Sequence, residues 1–75
     1  MIDNSLPAST VPRRNLTVAP PFDRPAVTVT VETEGSRLDV PGRALAWTDT
    51  AVHVQVRIRG AIHLAWVAAT DVQKR

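Results

Sequence analysis

From Ala26 onward, apolar and polar residues alternate with period two, the mark of half-buried strands. Val27, Val29 and Val31 alternate with Thr28, Thr30 and Glu32, which predicts a first strand rich in β-branched side chains. Glu34-Gly35-Ser36 reads as a turn, and Arg37 to Val40 as the start of a second strand. Pro41-Gly42 predicts a break, with a bulge or bend before the strand resumes over Ala44 to Thr48. A tight loop at Asp49-Thr50 places Trp47 opposite Val52 and Leu45 opposite Val54. The next strand, Ala51 to Arg59, puts Val52, Val54, Val56 and Ile58 on one face and His53, Gln55, Arg57 and Arg59 on the other. A three-residue loop over Arg59-Gly60-Ala61 pairs Ile58 with Ile62, Val56 with Leu64 and Val54 with Trp66. That register predicts a core centred on Trp47, Val54 and Trp66. Ala68 to Asp71 is too short for an α-helix, so a 3₁₀ turn leading to a last short strand at Val72 is expected.

The first 25 residues follow a different rule. Five of the six prolines, Pro7, Pro12, Pro20, Pro21 and Pro25, fall there, and each removes a backbone donor and favours extended geometry. The chain therefore divides into an extended Pro-rich arm, residues 1–25, and a small β domain, residues 26–75. The arm's apolar residues, Ile2, Leu6, Val11, Leu16, Val18 and Phe22, are too widely spaced for a core of their own and suit pockets on another surface. Arg13, Arg14 and Phe22 are its candidate contacts.

Four to five short antiparallel strands in a meander, with a one-turn helix before the last, is the order of a small SH3-like barrel. The segment Ala65-Trp66-Val67-Ala68-Ala69-Thr70-Asp71-Val72 resembles the closing segment of SH3 domains, in which a small residue, two apolar residues, a proline-led turn and a valine follow one another. The resemblance covers about residues 30–75 and implies the fold. Ala68 stands at the proline position and Asp71 at the tyrosine position, so it does not carry the family's proline-binding groove with it. The fold class expected is thus all-β, an SH3-like barrel with an N-terminal arm. The Arg-rich, Lys-poor composition with its Leu45-Ala46-Trp47 and Ala65-Trp66-Val67 segments is also similar in style to accessory proteins of high-GC bacteria and their phages.

Composition narrows the chemistry. A domain of this size lies near the lower limit for a self-sufficient core, and the chain has no cysteine for a disulfide and no set of residues spaced for zinc. Oligomerisation or docking on a partner protein is the expected support. Nine Lys and Arg against seven Asp and Glu give a net charge of +2, too little for the dense basic stripe of a dedicated nucleic-acid binder. The N-terminus lacks a basic region followed by an apolar one, and no run approaches the ~18 apolar residues of a membrane span. The expected location is cytoplasmic, or a virion if a phage encodes the chain, with no membrane partner.

No constellation for catalysis, cofactor or metal stands out. His53 and His63 fall on the outward face of neighbouring strands with no acidic partner or thiol, and Ser5, Ser9 and Ser36 have no base beside them. The surface expected to bind is that strand face, with His53, Gln55, Arg57, Arg59 and His63 together, since guanidinium groups suit carboxylate and phosphate alike. The leading expectation is a non-enzymatic assembly or adaptor module docking through its arm, such as a capsid decoration or head-tail protein. A small nucleic-acid-binding or regulatory protein using a surface of Arg57, Arg59 and Arg75, and an inhibitor encoded by a mobile element, are the alternatives.

Overall fold

The structure, a computed structural model, describes residues 2–75. The chain is all-β: a 3₁₀ turn over Ala8–Thr10 precedes β1 (Thr17–Val18), β2 (Ala26–Thr33), β3 (Ser36–Trp47), β4 (Ala51–Ile58) and β5 (Ala61–Ala68), and a 3₁₀ turn over Ala69–Asp71 leads to β6 (Val72–Lys74). The strands form one antiparallel sheet in the order β5-β4-β3-β2-β6, with β1 added to β3. β2 begins at Ala26, where the period-two pattern begins, and the final 3₁₀ turn and short strand stand where they were expected. No helix among the described residues is long and apolar enough to cross a membrane.

The sheet does not close into the expected barrel. β6 has three residues and pairs with β2 alone, so β5 and β6 remain the two ends of the sheet. Closure of another kind is supplied by the N-terminal segment. Beyond the reach of β6, the edge of β2 is taken over by Asn4, whose Nδ2 donates to the Thr30 carbonyl at 2.9 Å and whose Oδ1 accepts from the Glu32 amide at 3.0 Å. The Asp3 amide donates to the Glu32 carbonyl at 2.6 Å, and the Leu6 amide donates to the Trp66 carbonyl on β5 at 2.7 Å. Residues 3–6 thus stitch β2 to β5 across the open side.

β3 runs unbroken through Pro41-Gly42, against expectation. Its first half pairs with β2 and its second half with β4, and the ladder to β4 starts at Gly42, opposite Val56. Pro41 lies just outside that ladder, so its missing N–H costs nothing there. The irregularity falls instead at Leu45, the extra residue between Ala44, opposite Val54, and Ala46, opposite His53. The Leu45 carbonyl is satisfied from the arm by the Ala19 amide at 2.9 Å.

β5 also departs from the expected register. Arg59 and Gly60 both have positive φ, +51° and +81°, so they form a two-residue hairpin turn of the primed type rather than a three-residue loop. Ile58 then pairs with Ala61, Val56 with His63, Val54 with Ala65 and His53 with Trp66. A one-residue shift moves every side chain to the opposite face. Val67 therefore joins Val27, Val29, Val31, Val52, Val54 and Val56 in the main core, which Ile2 of the arm completes, while Trp47 packs at its margin. Trp66 lies on the other, outer face, where Val11, Ala46 and Ala51 bury it with Leu6 packed alongside.

The segment composed like a free arm is accordingly laid along the sheet, with Ile2, Val11 and Ala19 buried and Leu16, Val18 and Phe22 exposed. Removing residues 2–19 is expected to uncover Trp66, seen as a red shift of tryptophan emission, and to lower the urea midpoint. Gly42 offers a sharper test of packing. A Cβ there would meet the Gln55 carbonyl oxygen at 2.7 Å and the Val56 Cγ1 at 2.8 Å. Backbone oxygen cannot yield as a side-chain tip can, so Gly42→Ala is expected to cost about 1–3 kcal/mol in denaturant unfolding.

Candidate functional site

The end of the β3–β4 ladder shapes a concavity rich in arginine. Past Gly42 and Val56 the two strands no longer pair, and the gap is an open groove of about 250 Å³ lined by Pro41, Arg43, Gln55, Arg57, Ile62 and Arg75 among others. Cross-strand pairing sets Arg43 beside Gln55 and Arg57 beside Ile62 on the outer face. A second concavity shares Arg43 and Gln55 and adds Pro21, Phe22, Asp23 and Arg24 from the arm. The Arg24 guanidinium donates to Gln55 Oε1 at 3.5 Å, and the Arg43 guanidinium donates to the Arg24 carbonyl at 3.4 Å. The Arg24 Nε is buried without a hydrogen-bond partner. Phe22, at 92% exposure, stands beside this cluster with its ring in solvent.

Among the described residues the ion pairs are Arg37–Glu32 at 3.2 Å and Arg59–Glu34 at 3.4 Å. Arg24, Arg43, Arg57 and Arg75 are therefore without a carboxylate partner among the described residues, and Asp23 is the one acidic residue in the lining of the two concavities. Among the described residues no three His, Asp or Glu side chains converge as a metal set would. The chemistry on offer is that of planar guanidinium donors around one amide, suited to anionic groups.

A second cluster surrounds Trp66. His53, its cross-strand partner, stacks on the indole with ring centroids 5.0 Å apart and planes at 17°. The Arg13 guanidinium lies over the Trp66 ring, 5.6 Å from its centroid. Burial holds the His53 imidazole below its usual pKa of 6.5, and the positive charge of Arg13 pushes it the same way. Trp66 is 8% exposed, so the pair acts as a clasp that holds the arm rather than as a stacking platform.

The expected binding residues do not form one patch. His53, Gln55 and Arg57 share the outer face of β4, but His63 pairs with Val56 and faces the inner side, and Arg59 sits in the hairpin turn joined to Glu34. His63 and Arg59 meet Thr33 and Glu34 around a separate depression at that end of the sheet. Arg13 lies over Trp66, and Arg14 lines a third concavity with Pro12, Thr48 and Asp49. Phe22 joins the groove cluster. Of the expected Arg57, Arg59 and Arg75 surface, Arg57 and Arg75 do share the groove, while Arg59 lies apart. Arg24 and Arg43 join them as residues the sequence pattern did not single out: alternation along β3 placed Arg43 outward and was legible, whereas nothing local marked Arg24, which arrives through the arm's path. Comparison with family models, curated proteins and solved structures gives no match to this chain.

The His53 environment yields a pH test. Its folded pKa is lowered, so the unfolded chain binds more protons as pH falls below 6.5, and the stability present above 6.5 is lost on acidification towards the folded value. Urea unfolding at pH 7 and pH 5 is expected to show a smaller acid-induced loss in His53→Phe than in the parent chain. An equal loss in both would remove His53 from the account.

Proposed function

We propose that the chain is a non-enzymatic assembly module, an SH3-like sheet left open at β5 and β6, that holds an acidic segment of a partner protein in the arginine groove. The observation that carries this reading is the set Arg24, Arg43, Arg57 and Arg75, gathered around Gln55 with no ion-pair partner among the described residues. Four guanidinium groups within one surface repel one another, and an anionic partner relieves that repulsion while matching their fork geometry. At about 250 Å³ the groove falls below the usual size of a small-molecule pocket and suits one or two side chains of a longer segment.

A nucleic-acid reading draws on one specific observation: Phe22, fully presented to solvent, stands beside Arg24 and Arg43, an aromatic next to cations as in single-strand binders. The net charge of +2 weighs against it.

Titration with an oligoglutamate peptide and with a single-stranded oligonucleotide, each at about 50 and 200 mM salt, separates the readings. The expected outcome is peptide binding with a shallow salt dependence, lost in the double variant Arg43→Glu, Arg57→Glu while the thermal melt is kept. Submicromolar oligonucleotide binding that falls steeply with salt and is lost in Phe22→Ala would transfer the groove to nucleic acid. Absence of binding to either probe would sink both.

A further inference from the structure

The main core is plugged at one end and open at the other. At the Glu32 end of β2 the arm supplies Ile2, held there by the bond from the Asp3 amide to the Glu32 carbonyl. At the Ala26 end a cavity of about 370 Å³ is left between β2, β3, β4 and β6. Its walls include Val27, Ala44, Trp47, Val52 and Val72, each of them in the main core or packed against it. Lys74 and Arg75 stand exposed at the rim, and neither has an ion-pair partner among the described residues. Lys74 is the cross-strand partner of Val27 and so shares its inner face. The Arg75 amide donates to the Ala26 carbonyl at 3.2 Å, and Ala26 is in turn paired with Arg43 of β3. Arg75 accordingly borders both this cavity and the arginine groove.

We propose that the acidic partner segment carries a large apolar residue close to its carboxylates, and that this residue seats in the cavity against Trp47 and Val72 while the carboxylates lie in the groove. The inference rests on the groove reading and narrows it, from any acidic segment to one that is acidic and apolar together. The lining decides the occupant. A leucine or phenylalanine side chain gains by leaving water for these walls, and it fills the open end of the core as Ile2 fills the other. No Asp or Glu side chain lines the cavity, so the cations at its rim favour carboxylates on the same segment. Spacing follows from Arg75. Because one arginine borders both concavities, about three residues of extended chain, at ~3.3 Å each, suffice to join the apolar residue to the nearest carboxylate.

A pair of synthetic peptides tests this. One is a short run of glutamates with a leucine beyond a Gly-Gly spacer at each end, which makes the test independent of chain direction, and its twin has serine in place of both leucines. The full chain is expected to bind the leucine peptide about tenfold more tightly than the serine peptide. In NMR titrations both peptides are expected to move the Arg43 and Gln55 signals, and the leucine peptide alone to move the Trp47 indole N–H and the Val72 methyl groups. Val72→Phe fills the cavity and is expected to erase the difference between the peptides while the serine peptide binds as before. Equal affinity of the parent chain for both peptides overturns the inference and leaves the groove reading in place. So does tighter binding of the leucine peptide with the Trp47 and Val72 signals unmoved. Trp47 and Val72 signals that shift with chain concentration alone, without peptide, would assign the cavity to a second copy and overturn it as well. Failure of both peptides to bind removes the groove reading and this inference with it.

Discussion

The two positive φ angles at Arg59 and Gly60 govern more of this molecule than any buried contact. They close the β4–β5 hairpin in two residues, and the parity of the whole of β5 follows. With that parity, Val67 and Ala65 face the main core, Trp66 faces outward against the arm, and Ile62 and Leu64 are left in solvent. A three-residue loop would reverse each assignment. Arg at the first turn position is an unusual choice for left-handed backbone, and the Glu34–Arg59 ion pair ties this turn to the Glu34-Gly35 turn of the β2–β3 hairpin, which has the same pair of positive angles.

Once Trp66 lies outside, the N-terminal segment acquires its role. A small sheet that exposed this indole and left β2 and β5 unjoined would have a wet flank and unpaired edge groups. Asn4 supplies a side-chain amide in place of a further strand at Thr30 and Glu32, Leu6 bonds to Trp66, and Val11 with Arg13 covers the ring. Prolines suit such a path. An extended strap that makes occasional hydrogen bonds needs few backbone donors, and fixed φ angles lessen the entropy lost when it is laid down.

The arginine groove has a comparable origin in the backbone. Pro41 marks where β3 and β4 part, Gly42 permits their last close approach, and the gap beyond collects cations from β3, β4, the arm and the chain end. Its position therefore depends on one residue that cannot donate and one that has no side chain.

Residues 26–75 announced themselves as strands because period-two alternation of β-branched residues is a local property. So did the Glu34-Gly35 turn, the Trp47–Val52 pairing and the final 3₁₀ turn, each set within a few residues. The outward placement of His53, Gln55 and Arg57 was equally legible, since all three lie on one uninterrupted strand. What needed the tertiary structure was whatever joins distant parts of the chain. The parity of β5 hung on one backbone choice between loops of two and three residues, to which side-chain alternation is blind. The arm's apolar residues looked unsupported because their hosts, Trp66 and the edge of β2, lie far along the chain. Arg24, Arg43, Arg57 and Arg75 form a cluster only after four separate segments converge, and a linear pattern records spacing within a segment, not proximity between segments.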